Sequence, residues 1–328
     1  MRGLEDAFVK DLIEGKGNLD KLLGYIHNDD SLSLEIRDNT VDIYYRGRVL
    51  YTIGSKNGKY IFKKPAKNYY KGKPYEAILK ECWNQNEYVE AIKYIKASID
   101  GHGSINAERE CQQQIIRENN RLVSNKSGKI ANDTDYYIAD FEYKMTDINN
   151  GEIDLVAVKL PAIANIRQGF TTGKIAFIEL KYGDGAIETV LETKDKNGKV
   201  KKGNPGLGKH LKDVVEFYNH ISSSGKKEEF FKEILMLVNQ KLDLGVISPI
   251  GGKKEKRINR ISDDVEFIFI LANHKPTNND KLINELAECE KVSIPKEMNV
   301  KFAYSSCMGY GLYGASMVGI GEFQKSLL

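Results

Sequence analysis

Two apolar segments carry charged residues where a buried strand would be expected to carry none. Residues 152–158 (EIDLVAV) and 174–181 (KIAFIELK) are rich in strand-forming residues and bounded by turns containing glycine. Side chains alternate faces along a strand, so Glu179 and Lys181 share one face and Leu180 takes the other, while Asp154 opens the neighbouring strand. Burying such groups without partners costs an appreciable part of a domain's net stability, so the trio either performs chemistry or forms a tight buried ion-pair network. Two carboxylates at one sheet edge are hard oxygen donors suited to Mg²⁺ or Mn²⁺, ions that keep waters and also bind phosphate oxygens. Such an ion polarises a scissile phosphate and acidifies a water, and a neighbouring ammonium steadies the developing charge or orients the attacking water. The set suits phosphodiester hydrolysis. Acyl transfer and zinc-protease chemistry lack a handle, because no GxSxG elbow or HExxH helix is present.

The elements that must position these residues follow from periodicity. Ahead of the strand with Asp154, residues 106–118 have helical spacing, with Cys111, Ile115 and Leu122 marking an inner face that Glu108 shares. Residues 135–144 then read as a strand, and Asn150-Gly151 as a tight hairpin into the next one. An irregular piece, 159–173, precedes the strand with Glu179, and Gly183 and Gly185 break that strand. A lysine-rich hairpin-like loop follows at 194–202, including Lys199, Lys201 and Lys202. Helices are expected from Leu207, with Lys209 and His210 in the first turn, and over 228–242. After a second basic loop at 253–257, residues 265–272 form a near-continuous apolar run typical of a strand buried on both faces. A helix over 280–290 and a last strand over 300–304 complete the pattern. The glycines of the tail lack the context of a phosphate-binding loop.

The N-terminal third has a different texture. Leu4, Phe8 and Leu12, then Leu19, Leu22, Leu23 and Ile26, predict two short helices separated near Gly15 and Gly17. Four short alternating segments follow between residues 32 and 62, joined by hairpin-type turns, which predicts an antiparallel meander. Residues 63–74 (KKPAKNYYKGKP) interleave lysine with tyrosine, a pattern that serves either a solvated connector or a nucleic-acid contact. One amphipathic helix over 75–99 ends at Gly101, the expected domain boundary. The expected organisation is an N-terminal helix-plus-meander module (1–74), a connecting helix and linker (75–104) and an α/β domain (105–328).

Bulk properties narrow the class. The 328 residues are 41% hydrophobic and 29% charged, which fits a globular protein and excludes collagen-like, disordered and membrane-embedded classes. A net charge of +3 is too small to imply nucleic acid by itself. The four cysteines, Cys82, Cys111, Cys289 and Cys307, are widely spaced and have no CxxC pair, as expected of reduced thiols. Acids stand early in the chain where a signal peptide would have its apolar core, and no run reaches about 18 apolar residues, so a cytoplasmic location with no membrane partner is expected.

The order helix, three strands, helix, strand, with Asp154 opening the second strand and Glu179-Leu180-Lys181 ending the third, resembles the PD-(D/E)xK phosphodiesterase superfamily of restriction-endonuclease-like folds. The resemblance spans about residues 105–275 and leaves the N-terminal third unexplained. It implies a mixed central sheet flanked by helices, with Asp154 and Glu179 as Mg²⁺ or Mn²⁺ ligands, the carbonyl of Leu180 completing the sphere, and Lys181 serving the water or the transition state. The first helix would lend Glu108 to the metal, with Glu110 as its rival; Lys209 and His210 would reach the phosphates, although a lone His210 without a metal-spaced partner reads first as a helix-surface histidine. Two departures stand out: Ile153 occupies the position where a proline often precedes the aspartate, and the long 159–173 connection must be an insertion. The implied activity is a Mg²⁺-dependent endonuclease acting on DNA, with restriction or phage defence as its setting and the basic loops drawing in the backbone. Two rivals are a nuclease activated by a ligand or protein partner at the N-terminal module, and a catalytically inactive nucleic-acid-binding protein on the same fold. A homodimer would suit cutting both strands of a duplex.

Overall fold

A computed structural model describes residues 2–16, 19, 21–56, 59–63, 85–101, 106–120, 134–145, 151–160, 171–190, 192–194, 200–249, 256–274, 280–305 and 317–327. The architecture is mixed α/β, with a four-stranded antiparallel sheet and a six-stranded mixed sheet flanked by helices. No helix among the described residues is long and apolar enough to cross a membrane. Contacts divide the chain into two compact units, Met1–Ala131 with Met236–Arg257, and Asn132–Leu235 with Ile258–Leu328.

The first unit begins with helices α1 (Asp6–Glu14) and α2 (Leu22–Asn28). Gly15 ends α1 in the left-handed region, its N–H returning to the Asp11 carbonyl. The meander follows as β1 (Leu32–Arg37), β2 (Thr40–Tyr45), β3 (Arg48–Lys56) and β4 (Lys59–Lys63), paired in sequence order. Arg46 and Gly47, at φ of 50° and 70°, make the left-handed pair that a two-residue hairpin requires. Gly47 is needed for space as well, since a Cβ there would lie 2.6 Å from the backbone of Arg109.

Helices α3 (Gln85–Asp100) and α4 (Ala107–Asn120) complete the unit's first segment. The sequence pattern assigns α4 to the second domain, but α4 packs with the meander. Gln113 accepts a hydrogen bond from the Gly47 N–H at 2.6 Å and donates to the Tyr44 carbonyl, and Arg46 binds Glu110 at 2.8 Å. These long-range polar contacts leave no trace in periodicity.

The second unit holds β5 (Tyr136–Met145), β6 (Gly151–Lys159), β7 (Thr172–Tyr182), β8 (Glu192–Lys194), β9 (Val200–Lys202), α5 (Leu207–Ser223), β10 (Arg260–Ala272), α7 (Asp280–Glu290), β11 (Met298–Ser305), β12 (Val318–Gly319) and α8 (Ile320–Leu327). Its large sheet runs β12-β11-β10-β7-β6-β5. β5, β6 and β7 are antiparallel, whereas β7, β10 and β11 are parallel. The interior strands β7 and β10 are apolar on both faces, with Ile175, Phe177, Ile178, Val265, Phe267 and Ile268 fully buried. Phe177 packs against Phe217 of α5 and Phe230, and Phe302 of β11 stacks on Phe323 of α8 at 4.6 Å. β10 begins at Arg260, before its apolar run, with a register irregularity between Ile261 and Val265. β12 and α8 have no counterpart in the sequence pattern. The segments 64–84, 102–105, 146–150, 161–170, 195–199, 250–255 and 306–316 lie outside the described residues, and with them most of the basic connector, of the 159–173 insertion and of the two lysine-rich loops.

Helix α6 (Lys227–Asp243) gives its first part to the second unit and its last part to the first. In the first unit the Gln240 amide bonds both the N–H and the carbonyl of Leu4. Next to it Lys241, with no exposed surface, donates to Glu35 at 2.6 Å. Burial holds the Lys241 ammonium below the usual lysine range while Glu35 pulls it up. Removing one member strands a buried charge. Lys241→Met is expected to destabilise the chain by about 3–5 kcal/mol in denaturant unfolding, whereas Glu35→Leu with Lys241→Met should recover most of the loss. Equal losses in the single and double variants would contradict this account.

Candidate functional site

Strand register brings Asp154 towards the end of β7. The β6–β7 ladder ends with Leu155 against Ile178, and continuing its register by one residue aligns Asp154 with Glu179 on one sheet face. Here the Asp154 side chain extends the ladder, accepting the Leu180 N–H on Oδ2 at 2.7 Å. Lys181, two residues along, turns its ammonium back to Glu179 Oε1 at 2.9 Å. Glu179 and Lys181 are only 2% and 6% exposed, so their attraction acts in a nearly dry environment.

A fourth residue joins them from α5. His210 Nε2 lies 3.2 Å from Glu179 Oε1. Burial, with the lysines Lys181 and Lys209 nearby, pulls the His210 pKa down to about 2, against a hydrogen bond to the Pro205 carbonyl. The ring is therefore neutral at physiological pH. Nε2 is buried without a hydrogen bond, so the nitrogen facing Pro205 is Nδ1.

The first turn of α5 is itself anchored. Glu285 of α7 accepts the Thr189 N–H at 2.6 Å and the Gly208 N–H at 3.0 Å, placing a carboxylate at the positive end of α5. Its two glycines permit this approach. A Cβ at Gly206 would overlap the Glu285 carboxylate, and one at Gly208 would lie 2.7 Å from Glu288 Cβ. Two backbone bonds, Val190 N–H to Asn204 and Leu207 N–H to Ile187, tie the loop after β7 to the segment leading into α5. At the ends of β7 and β10, His274 Nδ1 meets Asp184 at 2.8 Å, and Gly183 donates to Ala272.

The remaining expected site residues lie on several elements. Lys209 is exposed on α5 and pairs with Asp213. Lys201 and Lys202 belong to β9, which pairs with β8, and Lys199 lies outside the described residues. Glu108 and Glu110 are on α4 in the first unit, where Glu110 is engaged by Arg46. Leu180 is buried, its N–H taken by Asp154. The sequence pattern does not single out Asp140, fully buried and paired in register with Val156, on the Asp154 side of the sheet. Its only signal is an acid inside an apolar run. Glu285, on a helix that reads as ordinary and amphipathic, gives none.

Among the described residues, no three His, Cys, Asp or Glu side chains form a group able to hold a metal ion. An ion that keeps several waters and takes one or two carboxylates is still compatible with Asp154, Glu179 and the carbonyl of Leu180. The Lys181 ammonium is the positive charge of the cluster, already paired with Glu179.

Glu285→Ala would release two backbone N–H groups and loosen the turn that carries His210. The expected result is a loss of about 1–3 kcal/mol and faster amide exchange at Thr189 and Gly208. Unchanged exchange at both amides would remove Glu285 from this role. No family model, curated protein or solved structure matches the chain, so the reading of the site rests on its own residues.

Proposed function

We propose that the chain is a metal-dependent nuclease of the PD-(D/E)xK kind, hydrolysing phosphodiester bonds with DNA as the expected substrate. The observation that carries this reading is that Asp154 accepts the Leu180 N–H beside Glu179, with Lys181 folded back onto Glu179. The topology adds support: antiparallel β5, β6 and β7 continue through a helical connection into parallel β10, the order expected of a restriction-endonuclease-like core.

Asp154, Glu179 and the Leu180 carbonyl would hold Mg²⁺ or Mn²⁺. The ion supplies charge at the phosphoryl oxygen and a more acidic water. Asp154 also fixes the end of β7 through the Leu180 N–H, keeping the Glu179 backbone in place. Lys181 supplies the compact positive charge that steadies the phosphorane-like transition state, and burial strengthens that effect. Restriction or phage defence remains the expected setting, and the basic hairpin containing β8 and β9 would contribute electrostatic attraction for the backbone.

Plasmid, linear duplex, single-stranded DNA and RNA should be incubated with the purified chain in Mg²⁺, in Mn²⁺ and in EDTA. Cleavage of DNA that EDTA abolishes is expected. Glu179→Gln or Lys181→Met should lower the rate by about 100-fold or more in protein that circular dichroism shows to be folded, Lys181→Met at a cost in melting temperature because it leaves Glu179 buried without its counter-ion. Full activity in either folded variant would refute the assignment.

A further inference from the structure

His210 meets Glu179 in a way that a hydrogen bond does not explain. Its Nδ1 faces the Pro205 carbonyl, so Nε2 presents a lone pair beside a carboxylate oxygen 3.2 Å away. Although the distance is short enough, Nε2 makes no hydrogen bond, because a proton on it would not point at that oxygen. The two atoms stand side by side. Two electron-rich atoms so placed repel unless a cation serves both, and Lys181 already serves Oε1 from 2.9 Å.

The spacing has a simple counterpart in coordination chemistry. Donors on adjacent corners of an octahedron, with bonds of about 2.1 Å, stand about 3.0 Å apart, and each lone pair points at the shared ion instead of at its neighbour. Rotation of the ring away from Glu179 would break its bond to Pro205. Displacement of the whole turn is opposed by Glu285 and by the close approaches at Gly206 and Gly208. The imidazole is thus held with one nitrogen committed to a backbone carbonyl and the other facing the carboxylate, as metal-binding histidines usually are.

We propose that His210 Nε2 and Glu179 Oε1 ligate the same divalent cation, and that the imidazole makes this site prefer Mn²⁺ to Mg²⁺. The inference rests on the proposed metal-dependent function. Mg²⁺ favours oxygen donors, whereas an imidazole nitrogen raises affinity for transition metals, so His210 turns a carboxylate site that accepts either ion into a selective one. Water and phosphate oxygens would fill the remaining positions.

The full chain should be titrated calorimetrically with MnCl₂ and with MgCl₂, as wild type, His210→Ala and His210→Gln. Electron spin-echo spectra of bound Mn²⁺ report directly on a coordinated imidazole nitrogen. The wild type is expected to bind Mn²⁺ about 10-fold or more tighter than Mg²⁺ and to show the nitrogen coupling. Both variants should lose the coupling and about 10-fold or more of the Mn²⁺ affinity, with Mg²⁺ affinity changed far less. If a substitution prevents folding, the wild-type spectrum decides alone. Metal binding and EDTA-sensitive cleavage without nitrogen coupling would overturn the role of His210 and leave the proposed function standing. Failure of the wild type to bind either ion at millimolar concentration would overturn both.

Discussion

A carboxylate at the dry end of an apolar strand has to be compensated, and much of the second unit is arranged to do so. Glu179 ends a stretch of β7 whose preceding residues, Ile175 to Ile178, have no exposed surface. Water cannot solvate it as it would at the surface, so compensation comes from fixed protein groups. Lys181 provides charge from the same strand, and Asp154 stabilises the neighbouring backbone from β6. Because these two use positions that strand geometry already dictates, the site needs little beyond correct β6–β7 register. A slip of one residue would turn Asp154 away from Glu179 and expose the Val156 and Val158 face to a different environment, so the apolar pattern that specifies the core also specifies the chemistry.

The same economy does not extend to α5. A helix beginning with Leu207 and Gly208 has no side-chain cap of its own. Its N-terminus is completed from α7, where the Glu285 carboxylate reaches both the helix and the loop after β7. The site is consequently supported on one side by continuous strands and on the other by a cap borrowed from a distant helix. Of the two, the borrowed cap is the more sensitive to small changes, because its contacts depend on two glycines that allow no added methyl group without displacement.

Local patterns in the chain make much of this arrangement legible. Period-two alternation locates Asp154, Glu179 and Lys181, and helical spacing locates α5 and α6. Turn chemistry at Asn39 and at Arg46-Gly47 locates the meander, since left-handed backbone is confined to a few residue types. Relationships between residues far apart in the chain are illegible. Nothing near Glu35 announces Lys241, and nothing near Gly208 announces Glu285, because a single buried pair leaves no periodic signal. His210 is visible as a residue in a first turn, but its contact with Glu179 depends on how α5 crosses the sheet. The assignment of α4 to the first unit is hidden for a similar reason, resting on Gln113 and Glu110 reaching the meander.

Helix α6 changes how the chain can come into being. The last part of this helix and the residues following it, through Arg257, belong to the first unit, where Gln240 holds Leu4 and Lys241 neutralises Glu35. A nascent chain therefore emerges with Glu35 long before its counter-ion exists. β5, β6 and β7 must be synthesised before the first unit has all its parts, so simple domain-by-domain folding from the N-terminus is closed to it. The interior of the meander lacks the Lys241 partner of its buried Glu35 until α6 has been made.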